Sequence, residues 1–141
     1  MSWTTTKRFE AVSVGEELPK LDIPITVRRI VSAAIATRDY ENVHHDKDET
    51  QALGSPHIFM NILTSNGVVE RYVTEWAGPE AVFRKVAIKL GAPNYPGDTM
   101  TMSARITAKG EAGPGSVTLE VAGRNSLGPH ITGTVVLVLP Q

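Results

Sequence analysis

Ile58-Phe59-Met60-Asn61-Ile62-Leu63-Thr64-Ser65-Asn66-Gly67-Val68-Val69-Glu70-Arg71-Tyr72-Val73-Thr74-Glu75-Trp76 is the longest helical signal in the chain. Its apolar residues recur at Ile58, Phe59, Ile62, Leu63, Val69, Tyr72, Val73 and Trp76. That is close to the alternating three- and four-residue spacing of one helix face, kept up over about five turns. Pro56 stands just before the run, Ser55 is placed to cap it, and Gly78-Pro79 ends it. Asn66 and Gly67 interrupt the apolar stripe halfway, and the glycine predicts a close approach of another backbone.

Downstream of this helix the period changes to two. Val86, Ile88 and Leu90 alternate with Lys85 and Lys89; Met100, Met102, Ala104 and Ile106 alternate with Thr101, Ser103 and Arg105. Val117, Leu119 and Val121 alternate with Thr118 and Glu120, and Val135, Leu137 and Leu139 close the chain. Gly/Pro-rich turns separate these runs, among them Gly128-Pro129, so they read as antiparallel strands. Upstream, Ile30–Thr37 predicts a short Ala-rich helix that stops near Asp39. Residues 39–56 read as a polar stretch that is mostly loop, and residues 1–29, broken by Pro19 and Pro24, as an arm with one or two short strands. One apolar helix and one sheet with an apolar face bury each other. The fold class is therefore α+β, a long central helix wrapped by a curved antiparallel sheet. One thin sheet leaves edges and apolar surface, which favours dimerisation.

A chain of 141 residues suits a single domain, 1–141, around one core. Lys plus Arg is 14 and Asp plus Glu is 15, so the net charge is 14 − 15 = −1, which argues against a nucleic-acid surface. The absence of cysteine excludes disulfides, thiolate metal sites and cysteine nucleophiles. The N-terminus lacks the apolar run of a signal peptide, and no stretch approaches the roughly 20 apolar residues of a membrane span. A cytoplasmic location is the expectation.

The chemistry concentrates in Arg38-Asp39-Tyr40-Glu41-Asn42-Val43-His44-His45-Asp46, which holds two of the four histidines. A carboxylate and an imidazole that meet over one water act as base and acid near neutral pH. Asp39 and His44 are the candidate pair, with Asn42 placed to orient either. The competing reading is an ordinary solvated loop, with His45 and Asp46 exposed and Asp46 or Asp48 starting a local turn. Metal binding is not expected, because adjacent loop histidines diverge and no helical i, i+4 His pair exists. His57 reads as a surface or cap residue and His130 as structural. The start of the long helix offers free N–H groups to a developing negative charge, such as the oxygen of an enolate.

The order of these features resembles the MaoC-like (R)-specific enoyl-CoA hydratases of the hotdog superfamily, over residues 15–140. The resemblance rests on Asp39 with His44 five residues on, on the central helix at residues 57–77, and on the turn Lys89-Leu90-Gly91-Ala92-Pro93-Asn94-Tyr95-Pro96-Gly97-Asp98. Ala36–Tyr40, Val43–Asp46, Asn61–Thr64, Arg71–Thr74, Trp76–Pro79 and Gly123–Gly128 are similar to the small subunits of actinobacterial steroid enoyl-CoA hydratases. The chain departs from the wider family in two places. Asn42-Val43 replaces the usual Asn-Pro before the histidine, and Phe59-Met60-Asn61 replaces the His-Gly at the helix start, so no glycine amide carries over as thioester-oxygen donor.

The resemblance implies a hotdog fold and hydration of an enoyl-CoA thioester, with a steroid side-chain enoyl-CoA of cholesterol catabolism as the implied substrate. It implies that Asp39 and His44 are catalytic, that Asn42 and Asn61 are candidate substrate-binding residues, and that no cofactor is needed. It also implies a second MaoC-like subunit in a heterodimer or heterotetramer, with a homodimer as the alternative. Rival readings are a hotdog acyl-CoA thioesterase and a non-catalytic scaffold subunit. Arg84, Lys85, Lys89 and Arg124 are candidates for CoA phosphates by charge alone.

Overall fold

Strand, helices, then a run of strands is the order of the computed structural model, which describes residues 4–141. The elements are β1 (Leu21–Pro24), α1 (Val27–Ala36), α2 (Lys47–Ala52), α3 (Ile62–Ala77), β2 (Val82–Leu90), β3 (Thr99–Lys109), β4 (Ser116–Asn125) and β5 (Gly128–Val138). Short 3₁₀ turns lie at Phe9–Ala11 and Asn42–His44. The strands form one antiparallel sheet in the order β1-β3-β4-β5-β2. The α+β expectation holds, and the arm supplies the fifth strand; its first three residues lie outside the described ones.

Alternation decides which sheet face is buried. Met100, Met102 and Ile106 of β3, Leu119 and Val121 of β4, and Ile131 and Leu137 of β5 join Val69, Tyr72, Val73 and Trp76 of α3 in one core. Gly78 stops α3 in a left-handed conformation (φ 95°), and any Cβ there would collide with the backbone of Thr5 and Thr6. The N-terminal arm crosses the helix end at that point, with Lys7 N–H donating to Ala77 C=O at 2.8 Å.

Five points differ from the sequence reading. The central helix begins at Ile62, capped by Asn61 rather than Ser55. The cause is competition for backbone donors: Phe59 N–H goes to Val43 C=O (3.1 Å) and Met60 N–H to Asn94 C=O (3.1 Å). Residues 58–60 are thus held as an extended segment between the loop and the β2–β3 turn. Ser55 Oγ instead donates to His57 C=O (2.9 Å). The stretch 39–56 is not mostly loop, since Asp46 caps the short helix α2 by accepting Glu49 N–H at 3.0 Å. The first helix starts at Val27, where Thr26 Oγ1 accepts Arg29 N–H at 3.1 Å. Finally, β5 already begins at Gly128 and β2 at Val82, because both pair with neighbours beyond their apolar runs.

Two expectations about α3 also change. Among the described residues, nothing outside its own helix backbone and chain neighbours lies within 4 Å of where a Gly67 Cβ would lie, so no other described backbone approaches it. Ile62 and Leu63, counted in the apolar stripe, are 50% and 48% exposed. A groove of about 320 Å³ runs between α1 and α3 there, with Ala33, Ala36, Thr37, Leu63, Thr64 and Gly67 among its lining residues.

Candidate active site

Arg38 takes a left-handed backbone conformation (φ 58°) directly after α1, and Asp39 N–H donates to Ala34 C=O at 2.9 Å. This turn brings the Asp39 side chain back towards the Asn42–His44 turn. His44 Nε2 lies 3.4 Å from Asp39 Oδ2, with the two side chains 9% and 22% exposed. The carboxylate is therefore reachable by solvent while the imidazole is nearly enclosed.

The partners of His44 fix its tautomer. Nδ1 lies 2.6 Å from Phe59 C=O, and a carbonyl only accepts, so Nδ1 carries the hydrogen. In the neutral ring Nε2 then presents a lone pair towards Asp39. Phe59 also meets the ring edge-on, with centroids 5.2 Å apart. The extended segment that displaced the start of α3 is thus what orients this histidine. The β2–β3 turn supports that segment: Asn94, fully buried, accepts Met60 N–H, and Asn125 Nδ2 donates to Asn94 Oδ1 at 2.8 Å.

Asp39 is held at both oxygens. Oδ1 accepts Glu41 N–H at 3.2 Å and Oδ2 accepts Asn61 Nδ2 at 2.9 Å. The Asn61 hydrogen bond is the largest influence holding this carboxyl below its ordinary range; the Glu41 amide and the nearby His44 and His45 act in the same direction, while burial opposes them. The Asp39 carboxylate thus stays ionised and available as a base.

The other predicted residues divide. Asn42 is exposed, and its amide donates to Glu49 Oε2 of α2 rather than to Asp39 or His44, so it does not orient the pair. Asn61 is 3% exposed and turns its side chain inward to Asp39 rather than outward. His45 is less exposed than expected: its Nε2 lies 2.7 Å from Asp39 C=O, and its ring stacks on Tyr40. His57 caps no helix, since α3 begins at Ile62; it is half-buried, and its Nδ1 accepts the neighbouring Ile58 N–H at 2.8 Å. His130 is buried and structural as read, donating from Nδ1 to Ala92 C=O (2.7 Å) and accepting from Ser65 Oγ (2.8 Å), with burial favouring its neutral form. Among the described residues no cluster of three His, Cys, Asp or Glu is arranged to hold a metal.

An antiparallel sheet packed on one long helix, with an Asp–His pair in the loop ahead of that helix, defines a hotdog protein with a carboxylate–imidazole pair beside its central helix. No family model matches the chain. The 3-oxo-4,17-pregnadiene-20-carboxyl-CoA hydratase beta subunit of Mycobacterium tuberculosis is 49% identical over 124 residues, 88% of this chain and 94% of that protein. A chain of the ChsH1–ChsH2 complex from Mycobacterium tuberculosis superposes with a TM-score of 0.86 at 48% identity, covering 90% of this chain and 98% of that one. The unliganded R-hydratase PhaJ1 from Pseudomonas aeruginosa shares the fold, with a TM-score of 0.88 at 15% identity over 96% of this chain and 87% of that one. The chain belongs to the MaoC-like hydratase family of the hotdog superfamily, in the branch of that beta subunit.

Proposed function

We propose that this chain is the subunit of an enoyl-CoA hydratase that carries the acid–base pair, acting on a steroid side-chain enoyl-CoA thioester. The observation that carries the reading is the 3.4 Å approach of Asp39 Oδ2 to His44 Nε2, with the far side of each group fixed by backbone. One water between them donates one hydrogen to the carboxylate and the other to the imidazole lone pair. As its oxygen bonds to the β-carbon, the water gives up a proton to the pair. The electrons of the double bond move onto the thioester oxygen as an enolate, and the pair returns a proton to the α-carbon. Nothing in this sequence consumes a cofactor, because the thioester itself supplies the electron sink.

The enolate oxygen needs donors. The amides of Ile58, Phe59, Met60 and Thr64 are engaged within the chain. Those of Ile62 and Leu63, at the open start of α3, have no partner among the described residues and take this role in the proposal. Thr37 and Thr64 of the groove between α1 and α3 both bond to Asn61, which in turn bonds to Asp39. The groove would receive the acyl part, with its open side covered by a second MaoC-like subunit, as the ChsH1–ChsH2 complex suggests for a relative. No helix among the described residues is long and apolar enough to cross a membrane, and we place the enzyme in the cytoplasm.

The test is to purify the chain with a second MaoC-like subunit and supply a steroid side-chain enoyl-CoA beside crotonyl-CoA. The expected result is loss of enoyl absorbance with CoA retained in the product, faster with the steroid thioester. Release of free CoA instead would replace this reading with thioester hydrolysis.

A further inference from the structure

Asn61 is one of the two residues, with Asn42, that the resemblance offers to the substrate, yet it is buried and every polar atom of its side chain is spent inside the protein. Its Nδ2 donates to Thr37 Oγ1 at 3.0 Å and to Asp39 Oδ2 at 2.9 Å. Its Oδ1 accepts Thr64 N–H at 2.9 Å and Thr64 Oγ1 at 2.5 Å. The amide orientation is not arbitrary. A carboxylate cannot donate and a backbone N–H cannot accept, so only one of the two flips satisfies both ends. The Thr37 hydroxyl hydrogen is directed to Ala34 C=O (2.9 Å), which leaves its oxygen free to accept from Asn61.

We infer that Asn61 is a positioning residue: it couples the N-terminus of α3 to Asp39 and sets the direction in which that carboxylate faces His44 and the attacking water. The inference rests on the hydratase reading above for its catalytic consequence. Asp39 sits on a turn, and a carboxylate there rotates freely about its terminal bond unless donors hold it. Glu41 N–H holds one oxygen and Asn61 the other, and the oxygen held by Asn61 is the one that faces His44 Nε2. The same side chain caps the helix whose first amides are the proposed enolate donors. One residue thereby keeps the base and the oxyanion site in a common frame, where a shift of about 1 Å in either costs about a hundredfold in rate. The titratable groups acting on Asp39 are His44 and His45. Removing the Asn61 donor leaves both in place, so any change in the titration of Asp39 reports on Asn61.

Helix capping and Asp39 positioning are separable by substitution. Serine and aspartate cap helices about as well as asparagine, but a serine hydroxyl at the cap is one bond short of the Asn61 Nδ2 position, and an ionised aspartate has no hydrogen to donate to Asp39. Asn61→Ser keeps the cap and removes the hydrogen bond; Asn61→Asp keeps the cap and sets a second carboxylate against Asp39. Both are measured in the complex with the second MaoC-like subunit, by steady-state kinetics against pH, by thermal unfolding, and by carbon NMR titration of the Asp39 carboxyl. The expected result for Asn61→Ser is a near-native melting temperature, a kcat lower by about tenfold to a hundredfold, a little-changed KM, and an acidic limb moved to higher pH. The Asp39 titration moves the same way, and Asn61→Asp moves it further. An Asn61→Ser protein whose Asp39 titrates as in the wild type, or whose kcat and acidic limb are unchanged, overturns the inference. A wild-type complex that hydrates no enoyl-CoA, while Asn61→Ser still raises the Asp39 pKa, would sink the hydratase reading and leave the hold of Asn61 on Asp39 standing.

Discussion

His44 shows how a single backbone acceptor settles a side chain's chemistry. Because Phe59 C=O takes the Nδ1 hydrogen, Nε2 is left to face Asp39; in the proposed hydration the two groups divide the hydrogens of one water between them. His44→Ala removes that second acceptor and also leaves Phe59 C=O without its donor. Asp39→Asn removes the charge and turns one donor against another, since Asn61 already donates at that position. Each variant should lose about a hundredfold or more in hydration with the partner present, while circular dichroism and co-purification stay as in the wild type. Near-normal turnover by either one would remove the pair from the mechanism. Asp39 and His44 were legible in sequence because a loop places residues five apart within reach of each other. The role of Asn61 was not legible: its partner lies 22 positions upstream, and only the turn at Arg38 brings them together. The same blindness made Asn42 look like a site residue, when its nearest use is Glu49 in a helix the sequence reading had taken for loop.

At the scale of elements, the strands were legible because period-two alternation reports one buried face. Helix starts were less so, because residues 58–60 look apolar and helical while their amides are claimed by Val43 and Asn94, contacts that exist only in the fold. Gly67 is the instructive case. It lies inside α3 with an ordinary negative φ and open space around it, so nothing in this chain requires a glycine. Glycine inside a helix costs about 0.5–1 kcal/mol relative to alanine. Gly67→Ala should therefore raise the melting temperature, by about 2–4 °C for a chain of this size. If the groove it lines receives the acyl group, Gly67→Leu should fold as well but raise KM for the steroid thioester far more than for crotonyl-CoA. Equal effects on the two substrates would place the acyl group elsewhere.

The whole molecule has one closed face and one unfinished side. The sheet ends at β1, a four-residue strand closed by Pro24, and at β2, nine residues long with no proline to blunt it. Near the site, Ile62 and Leu63 are half-exposed above a groove with one wall missing, and Val82 at the start of β2 is 47% exposed. Dimerisation was the expectation from a thin sheet on one helix, and these are the surfaces that remain to be covered. The proposed pairing with a second MaoC-like subunit then makes a linked set of outcomes. A partner that binds only the folded chain stabilises it by mass action, so the melting temperature of the mixture should rise with partner concentration. Val82→Glu would put a charge into the covered edge without touching Asp39, His44, Asn61 or the groove; it should weaken that rise and lower turnover at limiting partner concentration, and excess partner should restore the rate. Native mass measurement gives the composition directly, with a mixed assembly expected in place of copies of this chain alone. A homodimer of this chain that hydrates the steroid thioester as fast without the second subunit would remove the need for it, and Val82→Glu should then act on the homodimer instead.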